Sequence, residues 1–344
     1  MKERMRDSNM ELLRIVAMLL IMAVHANFRA LGFPSSTDVE VAPLSSLARF
    51  LSEGFCIMGV NVFVMISGWY GIKMKPIRLL ELVFQIVFFV VLITCAICII
   101  EDRNPNFSDL GHLLLKGNYD YWFIKAYLMM YIFSPVMNSF VESTDKKSFA
   151  LVILLFFSFE FLYGWFFDGA VWFKHGYSGL SFIGLYLMAR YLRIYYGGIG
   201  DKLSCFAIYV ILALVIGFSG FFLTKNGSQN ITHKMFYYTS PLVIFQATVF
   251  LLLFTKISLK SRFVNWVAIS TLAVYLLHSN AYWGKTYYDN LISDWYSTKT
   301  TFPFIIHVGV LIIITFWCSI FLDKIRLLLW RLIKNKIGIL LCNH

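Results

Sequence analysis

The sequence predicts an all-α, polytopic integral membrane protein of about ten transmembrane helices, and three observations carry that prediction. First, 59% of the 344 residues are hydrophobic and 14% are charged, with a mean hydropathy of +0.71. A soluble domain has too little interior to hide that much apolar side chain. Second, the apolar residues gather into windows of roughly 20, the length a helix needs to cross ~30 Å of hydrocarbon. Third, Lys and Arg are shared unevenly between alternate connections, which sets an orientation.

The windows follow in order. The first, 10–31, contains NMELLRIVAMLLIMAVHAN. Its basic start (Lys2, Arg4, Arg6) and its Val24-His25-Ala26 step imitate a signal peptide, but Arg14 inside the apolar run and the membrane pattern that continues beyond it argue for retention. The second, 49–71, opens near Glu53 and ends at Ser67-Gly68 and Gly71. The third, 78–100, carries Cys95 and Cys98 at redox-motif spacing, yet no nearby charge would make a thiolate there, so both read as packing residues. The fourth, 121–141, starts with Tyr121, Trp122 and Lys125. The fifth, 148–167, buries Glu160 in FFSFEFLYGWFF. Windows 177–196, 204–223 and 240–257 follow, with Arg190 and Arg193 at the inner end of the first and Lys256 at that of the third counted among the inner charges. Window 263–283 has His278 near its outer end, and 302–322 has His307 near its outer start. Beyond it, Asp323 to Lys336 spaces Ile325, Leu328, Leu329, Leu332 and Ile333 like an amphipathic helix on the inner leaflet. No repeat or low-complexity tract interrupts the pattern, so residues 1–344 read as one membrane domain with 322–344 as a cytoplasmic tail.

With both termini inside, Lys and Arg favour the inner connections about two to one. The net charge of +11 is therefore a topology signal, and no nucleic-acid partner is expected. The six cysteines lie mostly in apolar segments without a disulfide pattern. No metal is predicted. The longer outer connections, about 101–120 and 284–301, either line an acceptor site or are plain solvated loops; the residues leave both open.

The chemistry is read from Arg14 and His25. They are 11 residues apart, which at ~100° and 1.5 Å per residue puts both on one helix face about 16 Å apart. In the predicted orientation Arg14 lies near the cytoplasmic face and His25 in the outer half. Ionisable groups inside a span are costly and mark function by default. Glu53, Lys125, Glu160, His278 and His307 are expected at a similar outer depth, where Glu53, Glu160 and Lys125 would neutralise one another. A carboxylate near His25 would orient its ring. Lys73, Lys75 and Arg78, following Ser67-Gly68, form with Arg14 an inner cationic entrance suited to phosphate. A phosphate-headed donor held there, with an arm the length of pantetheine, would present its acyl group near His25. A histidine in that position is suited to general-base work on a hydroxyl.

Four stretches together resemble the membrane-bound acyltransferase-3 family: Arg14, ten residues, His25; Val60-Asn61-Val62-Phe63-Val64-Met65-Ile66-Ser67-Gly68-Trp69-Tyr70; Tyr121 to Tyr127 with Ser134-Pro135; and Val274-Tyr275-Leu276-Leu277-His278. Ser279 follows His278 where many members have proline, and the basic stretch after the second span is short. The resemblance implies a bacterial inner-membrane enzyme that takes an acyl group, most often acetyl, from cytoplasmic acetyl-CoA or another acyl-CoA to a hydroxyl of a cell-surface polysaccharide or lipid-linked glycan. It carries Arg14 and His25 over as required, with Ser67, Gly68, Arg78 and His278 in support. The site expected from residues and resemblance together has His25, Arg14, Glu160 and His278 as catalytic groups. Arg14, Ser67, Gly68, Lys73, Lys75 and Arg78 are expected on the donor, and Glu53, Trp122, Lys125 and His307 on the acceptor. The competing expectation is a transporter or flippase of lipid-linked oligosaccharide or acyl groups, against which no inverted repeat is visible. A polymerase would want larger outer loops.

Overall fold

A computed structural model describes residues 7–104, 121–167, 172–196 and 198–342, with side chains up to 335. The basic start Lys2, Arg4, Arg6 and the connection from 105 to 120, including Lys116, lie outside the described residues. Those described form helices and turns, with no strand among them.

The helices are α1 Ser8–Val24, α2 Ser36–Val41, α3 Pro43–Cys56, α4 Gly59–Tyr70, α5 Pro76–Ile100, α6 Trp122–Ser143, α7 Lys146–Phe161, α8 Gly179–Tyr195, α9 Lys202–Lys225, α10 Gln229–Met235, α11 Pro241–Thr255, α12 Arg262–Ala268, α13 Thr271–His278, α14 Asn290–Thr298 and α15 Thr301–Cys342. Their ends follow local chemistry. Pro43, Pro76 and Pro241 open helices, where a missing N–H costs nothing. Asp145 and Asp201 cap α7 and α9 by accepting from the backbone N–H groups of Lys147 and Ser148, and of Ser204. Those hydrogen bonds, with the neighbouring serine hydroxyls, hold both carboxyls below the usual range. Ser35 and Asp38 form a capping box on α2. Gly71 ends α4 at φ +75°, a conformation glycine adopts without strain.

Each predicted window overlaps a helix, but among the described residues six segments are long and apolar enough to cross a membrane: Ser8–Arg29, Pro43–Tyr70, Pro76–Ile100, Lys146–Phe166, Lys202–Lys225 and Thr301–Asn335. The other four windows correspond to α6, to the shorter α8 and α11, and to a helix interrupted between Ala268 and Thr271. Apolar windows do not register such breaks, because Ile269 and Ser270 leave the mean hydropathy almost unchanged.

The contacts gather into two compact units, 1–73 with 122–265 and 74–121 with 266–344. No composition shift marks the boundaries, so the sequence reads as one domain. In the first unit α3 packs on α9, α4 on α8 and α11, α1 on α4, and α6 on α8. Small residues permit the close approaches. A Cβ at Gly54 would sit 2.5 Å from the Ala213 carbonyl oxygen, and one at Gly68 would sit 2.5 Å from that of Tyr186.

In the second unit Ile93 and Ile97 of α5 pack on Leu277 of α13, with Trp283 and Leu322 beside them. The segment expected as a separate surface helix is the continuation of α15. Its predicted apolar face is exposed at Ile325, Leu328, Leu329, Leu332 and Ile333, while Asp323 and Arg326 are buried. Arg326 Nη2 lies 2.8 Å from Asp323 Oδ1, and Gln85 Nε2 donates to the same oxygen at 2.9 Å.

Candidate active site

The first unit carries polar groups at both ends of α1. From Ser8 to Val24 the helix is regular, so Arg14 and His25 keep the spacing and shared face that α-helical geometry gives them. At His25 the winding widens into a π turn, His25–Arg29. Single π turns inside helices are frequent at functional sites because they shift the register of the side chains that follow.

That turn is fastened from α3. Asn27 Nδ2 donates to Glu53 Oε2 and to the Arg49 carbonyl, both at 2.9 Å. Arg49 Nε donates back to Asn27 Oδ1 at 3.1 Å, and its guanidinium also bonds the Gly32 carbonyl. Glu53 is 1% exposed. Glu53 thus reaches the His25 segment through Asn27. Arg29 Nη1 approaches His25 Nδ1 at 2.8 Å. A guanidinium only donates, so this contact puts a ring lone pair at Nδ1 and, in the neutral imidazole, the hydrogen at Nε2.

The other end of α1 is a ring of charges and aromatics. Arg14 Nη1 pairs with Glu11 Oε2 at 2.7 Å, one helical turn earlier. Tyr70, at the end of α4, donates to Asp7 Oδ2 at 3.0 Å. Arg193 of α8 lies 4.9 Å from the Tyr70 ring centroid and donates to the Trp69 carbonyl at 3.0 Å. Arg190, one turn earlier, approaches the same carbonyl at 3.4 Å, and its buried Nε has no hydrogen-bond partner among the described residues. Ile72 is clamped by Tyr186 and Asn138, whose side chains bond its N–H and its carbonyl at 2.9 and 2.8 Å.

The remaining expected residues divide between the units. Ser67 Oγ lies 3.4 Å from Tyr127 Oη, and Gly68 serves the α4–α8 contact. Lys73 is exposed in the first unit with Arg14; Lys75 and Arg78 are exposed in the second. Glu160 is 2% exposed and accepts from Ser181 Oγ at 2.6 Å. Trp122 is half-buried beside Tyr177 and Tyr238, and Lys125 is half-buried one turn along α6. Among the described residues the expected neutralisation of Glu53 and Glu160 by Lys125 is not found: Glu53 takes Asn27 and Glu160 takes Ser181. Their spacing along the spans fixed depth alone, whereas pairing depends on which helices touch.

In the second unit His278 is fully buried, with Nδ1 2.6 Å from the Val274 carbonyl and Nε2 3.3 Å from Ser279 Oγ. The serine that stands in the proline's place is therefore a hydrogen-bonding neighbour of the ring. His307 Nδ1 lies 2.6 Å from the Pro303 carbonyl, with Trp295 against the ring.

Sequence reasoning missed Asn27, Arg29 and Arg49 beside His25, and Arg190 and Arg193 at the other end. Arg29 had a signal, lying one helical turn after His25. The two α8 arginines were visible only as positive-inside charges.

These features define a helical membrane protein whose first helix joins a cationic end to a histidine held at a π turn. The family model described as acyltransferase domain matches residues 7–324, and the chain belongs to that family, the acyltransferase-3 family. It is an acyltransferase. No curated relative and no solved structure matches the chain. Among the described residues no group of three or more His, Cys, Asp or Glu is placed to hold a metal ion.

Proposed function

We propose that this acyltransferase moves an acyl group, acetyl in the simplest case, from cytoplasmic acyl-CoA to a hydroxyl of a cell-surface glycan or its lipid-linked precursor. In this reading it is a multi-pass protein of the bacterial inner membrane with both termini in the cytoplasm. The single observation that carries it is the pairing of Arg14 and His25 on one regular helix, about 16 Å apart by helical rise. The cations at the Arg14 end suit the phosphates of CoA, and an extended pantetheine arm covers the distance to His25.

The reaction joins the acceptor oxygen to the thioester carbonyl carbon and breaks the carbon–sulfur bond. The hydroxyl proton passes to His25 and from His25 to the departing sulfur, which leaves as the CoA thiol. Because Arg29 donates to Nδ1, the ring takes a proton at that nitrogen only when Arg29 releases it. General-base catalysis of this kind is worth ~10²–10⁴-fold in rate. Asn27 and Glu53 position the turn.

The test is transfer of labelled acetyl from acetyl-CoA to the host's surface polysaccharide by protein in nanodiscs. His25→Ala should abolish transfer while the protein keeps its thermal unfolding midpoint. Transfer at the wild-type rate by that variant overturns the mechanism, and a polysaccharide whose mass is unchanged when the protein is removed from cells overturns the acceptor.

A further inference from the structure

Beyond the residues already described around Arg14 and His25, the first unit contains a group of buried oxygens that the packing leaves unsatisfied. Asn61 of α4 is fully buried, and its Nδ2 donates to the Tyr238 carbonyl at 2.9 Å. Its Oδ1 has no hydrogen-bond partner among the described residues, and neither do Thr239 Oγ1 and Ser240 Oγ, two residues that are 3% and 1% exposed. Ser240 is the more telling. It occupies the N-cap of α11, yet its hydroxyl makes no capping bond, although capping is what serine at that position ordinarily does. Buried polar atoms are nearly always paired, and each exception calls for a reason.

Aromatic faces border the same place. Tyr238, whose carbonyl anchors Asn61, lies near-parallel to Trp122 with centroids 5.9 Å apart. Tyr177 closes the group at 4.3 Å from Trp122 and 5.2 Å from Tyr238. Trp122 and Tyr177 are half-buried, so ring surface remains accessible. The three aromatics sit at the start of α6, just before α8 and just before α11, and in the proposed topology all three positions face outward.

Aromatic faces beside polar atoms with spare hydrogen-bonding capacity are the pattern that recognises a sugar. Axial C–H groups of a pyranose lie on the rings, while its hydroxyls donate to an amide oxygen and exchange bonds with two hydroxyls. We infer that Trp122, Tyr177 and Tyr238, with Asn61, Thr239 and Ser240, form a subsite for a pyranose residue of the acceptor. The inference rests on the acceptor half of the proposed function and is tested by binding alone, without acyl transfer.

Full-length protein in nanodiscs is titrated with cellotetraose, chitotetraose and maltotetraose by microscale thermophoresis, with no acyl-CoA present. At least one should bind, and Trp122→Ala, Thr239→Val and Ser240→Ala should each weaken it fivefold or more. Because the two hydroxyls have no hydrogen-bond partner among the described residues, Thr239→Val and Ser240→Ala should leave the unfolding midpoint unchanged or raise it. A purely structural role gives the reverse, a lowered midpoint with unchanged sugar affinity, and overturns the subsite. Absence of binding by all three tetrasaccharides overturns it too, as does weakening seen only in variants that have lost their fold. Sugar binding that depends on these residues in a protein that transfers no acetyl supports the subsite and sinks only the acyl-CoA reading.

Discussion

Asn27 Nδ2 donates to Glu53 Oε2 at 2.9 Å, and this buried bond ties the π turn that begins at His25 to helix α3. Asn27 is two residues beyond His25, so the orientation of the imidazole depends on a carboxylate that the ring itself need not touch. Glu53→Ala removes the acceptor from a buried amide, a change that costs about 1–3 kcal/mol. The expected result is a lower unfolding midpoint and at least tenfold slower transfer. Glu53→Gln keeps an oxygen for Asn27 and should recover most of the stability. Equal midpoints for Glu53→Ala and wild type would show that the bond contributes nothing.

In the proposed reading Arg14 is shared between Glu11 and the phosphates of the donor. Its ion pair at 2.7 Å competes with phosphate, so the two partners should shift donor use in opposite directions. Glu11→Gln is expected to lower the apparent KM for acetyl-CoA severalfold, and Arg14→Ala to raise it. Steady-state kinetics in nanodiscs reads both. A higher KM in both variants would assign the pair to folding alone.

Arg190 and Arg193 converge on the Trp69 carbonyl, and the spare donor of Arg190 suits an anion. Arg190→Ala should raise the KM for acetyl-CoA about tenfold, the loss of one charge-assisted hydrogen bond. The KM for S-acetylpantetheine, which has no phosphate, should stay within twofold. An equal rise for both donors would refute a phosphate contact.

Acid should loosen the loop helix α10. His233 stacks on Phe33 with centroids 4.1 Å apart, and burial pushes its imidazole below the ordinary value of 6.5. Below pH 6.5 the unfolded chain therefore takes up a proton that the folded chain resists, and stability falls as pH drops through that value. The unfolding midpoint should decline between pH 7.5 and 5.5, and His233→Phe should make that decline shallower. An identical pH profile in the variant would remove His233 as the cause.

How far the sequence could be read depended on the range of each interaction. Gly54 and Gly59 carried no signal beyond flexibility, and Gly68 was legible only as a motif and donor-side residue, yet a Cβ at each would sit 3.0 Å or less from a facing backbone oxygen. They decide which helices approach closely. The break between Ala268 and Thr271 was equally hidden, because hydropathy averages over it. Asn61 was visible only as part of a motif, and its unpaired oxygen appears once the packing of α4 is known.

The sequence by itself determined that the chain is helical and apolar enough for a membrane, and that Arg14 and His25 share a face. Those properties depend on composition and on a fixed 3.6-residue period. Only the tertiary structure decided that Glu53 bonds to Asn27, that Glu160 bonds to Ser181 and that Arg193 reaches Trp69. A hydrogen bond between residues distant in the chain exists only where helix packing brings a donor within about 3 Å of an acceptor, and in this chain that packing is set by small residues on the contact faces.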